Sequence, residues 1–303
     1  MNVNRPVLLT SVSALLCGAC AAPTAQPTLE LDPRAVAAFD GHTGERLEWS
    51  AIVARASNAE AVLIGENHGH PLGLASAAAL FEDLVAAQPR ATLAMEFFER
   101  DEQSRLDDWL AGLSDDATFE ARTQRSAGNY PPGHRAMLQT AKAADRAVYA
   151  ANAPRPYVRL ARSQGYEALA QLTPEQQRLF LLPPRMVDGR YRESFDAFMA
   201  GGADPKSDKV KPRLDSVFRS QSLWDWTMAD CVVDAVRGAQ TPLVLVVGRF
   251  HVDHEGGTVQ AIEHLRPGTR TFVVSYVNQA SDKLQDDDKQ RGDVVLYCGP
   301  QPE

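Results

Sequence analysis

Leu243-Val244-Leu245-Val246-Val247-Gly248-Arg249-Phe250-His251 decides the fold. Five apolar residues follow one another without a polar interruption, and three of them are β-branched. Such a run, closed by a glycine, reads as a strand buried on both faces. Strands of that kind belong to parallel sheets covered by helices, because a sheet with one wet face alternates apolar and polar residues.

Similar runs recur on either side. Ala61-Val62-Leu63-Ile64-Gly65 is a short apolar strand ending in a glycine turn. Leu72 to Ala87 has helical periodicity, and Pro89 closes it. Ala91 to Glu96 reads as the next strand. Glu99 to Leu113 reads as a helix with Leu106, Trp109, Leu110 and Leu113 on one stripe. Arg146 to Ala150 and Thr271 to Val277 are further strands, and Asp293 to Tyr297 reads as an edge strand. Strands alternating with helices predict an α/β fold: a mainly parallel sheet flanked by helices. Residues 155–238 are almost wholly helical in pattern, which is too long for one crossover. They are expected to form a helical subdomain or lid.

The predicted domain covers residues 50–300. Residues 21–49, with Pro23, Pro27 and Pro33, read as a flexible tether. Before it, Arg5, the apolar Val7 to Leu16 stretch and the small residues up to Cys20 describe a secretory signal over residues 1–20. The apolar run is too short to span a membrane. Leu16-Cys17-Gly18-Ala19-Cys20 resembles the lipobox of bacterial lipoproteins. That resemblance implies a lipid anchor at Cys20 and an exported protein facing the periplasm. Cys231 and Cys298 are then the remaining cysteines, either paired in an oxidising compartment or present as two buried thiols. The formal charge of −8 argues against nucleic acid as a partner.

In open α/β sheets, ligands bind beyond the carboxyl ends of the strands. There the sequence places Gly65-Glu66-Asn67-His68-Gly69-His70, then Glu96, Glu99 and Arg100, then Asn152 and Arg155. The fourth turn is Gly248-Arg249-Phe250-His251-Val252-Asp253-His254. Converging His and carboxylate groups can hold a metal ion, pair as acid and base, or grip a ligand. The spacing alone leaves those three open. No His-x-x-x-His pair, Gly-x-Ser-x-Gly elbow or phosphate loop is present.

Several segments, in order, resemble one family. Leu63-Ile64-Gly65-Glu66-Asn67-His68 is similar to the "LLGExH" opening of the ChaN-like haem-binding lipoproteins, which sit with the Tiki proteins and erythromycin esterases. Gly248-Arg249-Phe250-His251 resembles the second, Gly-x-x-His motif. Met95-Glu96-Phe97-Phe98-Glu99-Arg100 with Gln103, Tyr149 to Arg155, and Gln221 to Ala229 resemble three further family segments. The resemblance implies haem or iron as ligand, a role in its uptake, and a homodimer holding haem between subunits. It also implies a Tyr on the iron. Tyr130, before Pro131-Pro132 and close to His134, is the candidate, with packing in a loop as the other reading. Arg100, Asn152, Arg155 and His254 join Tyr130 and His134 as cofactor-binding candidates. Arg100, Asn152, Arg155 and Asp225 either position a ligand carboxylate or tie loops together.

The relatives also imply a second use. In a metal-dependent hydrolase of this type, Glu66 serves as general base, and His68, Glu96 and His251 hold a divalent metal ion or carry protons. A third use is structural, with Glu66 and His251 linking strand ends; burying four titratable groups for that purpose alone is costly.

Overall fold

A computed structural model describes residues 31–302 of the chain. The segment read as a secretory signal, with Cys17 and Cys20, lies outside the described residues. The strands are β1 (Ala37–Asp40), β2 (Ala61–Glu66), β3 (Thr92–Glu99), β4 (Val148–Asn152), β5 (Leu243–Gly248), β6 (Thr271–Val277) and β7 (Val294–Tyr297). The helices α1 (Trp49–Ser57), α2 (Pro71–Ala87), α3 (Gln103–Leu110), α4 (Asp116–Arg122) and α5 (Pro132–Ala143) lie between β1 and β4. Between β4 and β5 come α6 (Arg155–Gln164), α7 (Tyr166–Ala170), α8 (Pro174–Gln177), α9 (Gly189–Ala200) and α10 (Lys211–Arg237). Helix α11 (Gly257–Leu265) precedes β6.

The sheet has seven strands in the order β1-β7-β6-β2-β5-β3-β4. Every pairing is parallel except that of β1 with β7. The fold is therefore α/β, as the uninterrupted apolar runs predict. Strands β2 and β5 lie at the centre and are buried along their whole length.

Alternate residues of each strand feed two cores, as the two-residue period of a strand requires. On one face Val62, Ile64, Leu93, Met95, Val244 and Val246 pack with Phe81 and Leu84 of α2 and Met137 and Leu138 of α5. On the other, Leu63, Ala94, Leu243, Leu245 and Val247 meet Trp226, Met228 and Val232 of α10 and Ile262 of α11. Burying each such side chain contributes about 1.5–3 kcal/mol. The two cysteines belong to opposite faces: Cys298 to the first core, Cys231 against the second. Both are free thiols, so the disulfide alternative is overturned by the sheet that separates them.

Four boundaries differ from expectation. Residues 37–40, within the stretch read as tether, form β1, with Ala38 and Phe39 buried; a four-residue strand carries too little pattern to stand out. That strand covers β7, which is therefore not the outermost. Strand β3 runs on to Glu99, and a 3-10 turn at Arg100–Glu102 delays the helix to Gln103. That turn is locked by the Glu102 carboxylate, which accepts the Glu99 N–H at 2.9 Å. Leu113 lies beyond the helix and is 78 % exposed, because Gly112 leaves the helical path at φ +73°.

The 155–238 region divides in two. The 27-residue α10 covers the second face of the sheet, as an ordinary crossover helix does. Only α6 to α9 stand off the sheet, over small cores of their own around Phe180 and Leu223 and around Phe195 and Phe218. At the β4 side of the sheet, Gln103 of α3 faces the strand. Its amide donates to the Val148 carbonyl at 2.9 Å and accepts the Ala150 N–H at 2.7 Å. Among the described residues, no helix is long and apolar enough to cross a membrane.

Candidate functional site

Strand β2 ends in Glu66, which is buried at the carboxyl edge of the sheet. Both of its carboxylate oxygens are engaged. Oε2 lies 2.7 Å from Nε2 of His134, and Oε1 lies 2.9 Å from Nδ1 of His68. His134 sits in the first turn of α5 and is itself buried. Burial acts to raise the Glu66 pKa, but the hydrogen bonds from His134 and His68 outweigh it and hold the carboxyl at about 2. His68 is exposed; its hydrogen bond to Glu66, aided by the charge of Glu96, raises its imidazole to about 9.

Glu96 and His251 come from the neighbouring strand ends. Oε2 of Glu96 accepts the Gly248 N–H at 2.7 Å. A side chain at Gly248 would put a Cβ 2.8 Å from Nε2 of His68, so the glycine is what admits His68 and Glu96 together. Nε2 of His251 lies 3.9 Å from Oε1 of Glu96. Its other ring nitrogen, Nδ1, lies 2.7 Å from Oδ1 of Asp225 on α10. Asp225 is fully buried and also accepts hydrogen bonds from the hydroxyls of Tyr191 and Thr258 at 2.7 and 2.9 Å. Burial lowers the His251 pKa, yet the Asp225 and Glu96 charges prevail and raise it above the ordinary value.

Beside this cluster lies an aromatic wall. Phe97 stacks on Tyr130, with ring centroids 5.7 Å apart, and lies 4.6 Å from His134. The Arg125 guanidinium covers the Phe97 ring at 4.4 Å and donates to the Phe97 carbonyl. The Tyr130 phenol is held above its ordinary pKa by burial, and Arg135 only partly counters this.

Two cavities meet at the cluster. The larger, about 820 Å³, is lined by polar and charged side chains that include Glu96, Glu99, Arg105, Asn152, Arg155 and Arg159. The smaller, about 410 Å³, is more apolar, with Leu74, Ala75, Tyr130, Pro131 and Pro132 in its wall. Glu66, His68, Phe97, Asn129 and His134 line both. Cavities of this size suit a cofactor-sized ligand.

The structure thus brings together Glu66, His68, Glu96, Tyr130, His134, Asn152, Arg155 and His251 around one hollow, with His251 behind Glu96. Two expected contacts turn away. Arg100 is held by the Thr227 carbonyl and Asp230 at 2.8 and 2.9 Å, on the far side of β3 from the cavities. His254 adopts a left-handed backbone at φ +54° and lines neither cavity. Burial and the nearby Arg291 and Arg190 lower its pKa to about 4. Among the described residues, no three His, Cys, Asp or Glu side chains are arranged to hold a metal ion. A divalent centre at His68, Glu96 and His251 is therefore not supported by the arrangement of these described residues. Arg125 and Tyr191 carry no motif signal for the site, and Phe97 and Gln221 lie inside motif-like segments without being marked there as site residues. Only the Phe-Phe pair after Glu96 hints at the aromatic wall.

Comparison with solved structures gives the ChaN protein of Campylobacter jejuni, a structure of cofacial haem binding. It shares 16% identity, with a TM-score of 0.66, over 86% of this chain and 96% of that one. The type III effector HopBA1 aligns at 17% identity and a TM-score of 0.45, over 83% and 92% of the two chains. The erythromycin esterase EreC, as an open-form mutant, aligns at 13% and 0.44, over 86% and 82%. No curated protein matches the chain. Residues 52–262 match the family model for haem-binding uptake proteins of the Tiki superfamily, ChaN. The chain belongs to that ChaN family.

Proposed function

We propose that the chain binds haem in the two joined cavities, with Tyr130 as the iron ligand. The observation that carries this reading is the apolar cavity walled by Tyr130 and His134 beside a polar one. The residues fit the group. Among the described residues, no hydrogen bond engages the Tyr130 hydroxyl, and Nδ1 of His134 is buried without a partner. A buried polar atom left unpaired is costly and marks a place where a ligand belongs. When bound, haem supplies a ferric centre for which a tyrosinate oxygen is a suitable ligand. Phe97 gives the ring an aromatic face. The Glu66 carboxylate fixes the His134 ring in place, with Nδ1 left as the free nitrogen. Arg135, stacked at 4.4 Å on the Tyr130 ring, favours the phenolate once the proton leaves.

The family description supports a role in haem or iron uptake, and the lipobox-like segment ending at Cys20 supports a lipid anchor facing the periplasm; a homodimer is part of the same reading. The test is a haem titration of the full chain followed by absorption spectroscopy. A saturable shift of the Soret band is expected, and its loss in Tyr130→Phe identifies the ligand. An unshifted, non-saturating band sinks the proposal.

A hydrolytic use of Glu66, His68, Glu96 and His251 is the second reading. Its support is the Asp225–His251 pair: Nδ1 is anchored on a carboxylate and Nε2 is turned towards Glu96, as in an acid–base imidazole. Glu66, held at about 2 with both oxygens occupied, is too weak a base near neutral pH, so that role falls to His251. Ester hydrolysis abolished by His251→Gln, in a chain without Soret binding, is the outcome that favours this reading.

A further inference from the structure

The larger cavity is electrically divided. Its buried end holds the carboxylates of Glu66 and Glu96, while the rest of its wall carries Glu99, Asp101 and Glu102 and five guanidiniums: Arg105, Arg122, Arg125, Arg155 and Arg159. Three of these have carboxylate partners. Arg122 pairs with Asp108 at 2.8 Å, Arg125 with Glu102 at 3.1 Å and Arg155 with Glu99 at 3.3 Å. Arg105 on α3 and Arg159 on α6 line the same cavity and have no ion-pair partner among the described residues. Asp101, one helical turn before Arg105, is exposed and forms no ion pair with it.

We infer that Arg105 and Arg159 grip the two carboxylate arms of a planar ligand at the outer wall of this cavity, and so set which way round it enters. The inference rests on the haem reading and deepens it. Haem has an apolar ring and two propionates on one edge. Glu66 and Glu96 repel those propionates from the buried end, and the aromatic wall of Phe97 and Tyr130 accepts the ring. The two unpaired guanidiniums then face the only charged edge the ligand has. Each can make two parallel hydrogen bonds to a carboxylate. They come from different helices, so two separated anions are matched, not one. Arg155 lies one turn before Arg159 on the same face of α6 but is already committed to Glu99. Arg100, the arginine that the motif suggests, is committed to Asp230 on the other side.

The test compares haem with its dimethyl ester, in which both carboxylates are capped, by Soret titration of the full chain. The proteins are the wild type and Arg105→Gln/Arg159→Gln. Neither residue is buried, so the double variant should fold, which circular dichroism checks. Protoporphyrin IX without iron and its dimethyl ester, followed by fluorescence, repeat the comparison independently of Tyr130. The wild type is expected to prefer the free acid over the ester by about 10-fold or more, since charged hydrogen bonds are lost on capping. The double variant should lose that preference while keeping the affinity for the ester. A double variant that still discriminates acid from ester as the wild type does overturns the inference and leaves haem binding standing. A wild type that binds none of the four ligands removes both.

Discussion

Glu66 and His134 lie 68 positions apart in the chain and meet at 2.7 Å in a buried contact. One belongs to the end of a central strand, the other to the first turn of a helix on the sheet's flank. Their contact joins the sheet to α5, and His68 shares the same carboxylate from the exposed side. This three-residue unit is a fixed charge arrangement around which both cavities are built.

That unit makes stability depend on acid. The Glu66 carboxyl is held at about 2 in the fold, against 4.5 ordinarily. A value lowered by folding gives stabilisation that is complete above about 4.5 and is lost as pH falls towards about 2. The effect is on the order of 3 kcal/mol, shared with its two histidine partners and not additive with theirs. Thermal melts between pH 6 and pH 2 are expected to show Glu66→Gln less stable at neutral pH and losing less on acidification. Parallel curves for the two proteins refute the coupling.

His68 should titrate late. Its imidazole is raised to about 9 by Glu66 and Glu96, so it is a cation at neutral pH. Because the folded value is raised, the interaction is complete below about 6.5, the ordinary value, and lost as pH rises through about 9. Proton–carbon NMR of the imidazole should find a midpoint well above 7 in the wild type. In Glu66→Gln the midpoint should move back towards the ordinary value. A wild-type midpoint near 6.5 contradicts the ion pair.

The approach of α5 to α2 depends on Gly133. A Cβ there would lie 2.6 Å from the Leu74 carbonyl oxygen, which belongs to backbone and cannot swing aside. Gly133→Ala is expected to cost about 1–3 kcal/mol by urea unfolding. It should also displace His134, the next residue, and weaken haem binding. Unchanged stability in this variant means that the helices separate more easily than their packing implies.

Asp225 is a buried carboxylate satisfied by His251, Tyr191 and Thr258. Asp225→Ala leaves those three donors without an acceptor and a cavity besides. Denaturant titration should show a loss of about 3–5 kcal/mol. Asp225→Asn keeps the shape and should lose less, while lowering the His251 pKa by removing its counter-charge. Equal effects of the two variants would argue that charge, not packing, is what Asp225 supplies.

Much of the sheet is legible because burial on both faces leaves an unmistakable mark. Leu243 to Val247 and Ala61 to Gly65 needed no context. Strand β1 carries only four residues and took its place through pairing with β7, a partner some 250 residues away. Glu96 is marked only by the apolar run before it, while the strand-end residues Glu66, His68 and His251 share a local signal, the glycine at the end of an apolar run. The pairs that orient them do not. Glu66 with His134, and His251 with Asp225, join elements remote in sequence, and no periodicity announces such a pairing. Arg100 shows the reverse: its position beside the Glu96 motif is suggestive, yet β3 runs on far enough to point it at Asp230 on the other side.

Gln103 has a consequence beyond α3. Its side-chain amide takes the place that a neighbouring strand would occupy beside Val148 and Ala150. A second copy of the chain cannot lengthen the sheet past β4 unless that amide first swings out and leaves two peptide groups bare. Lateral, ribbon-like stacking of molecules is closed off on this flank. On this flank, any contact between two copies falls to helix and loop surfaces, where side chains and not peptide groups decide the fit.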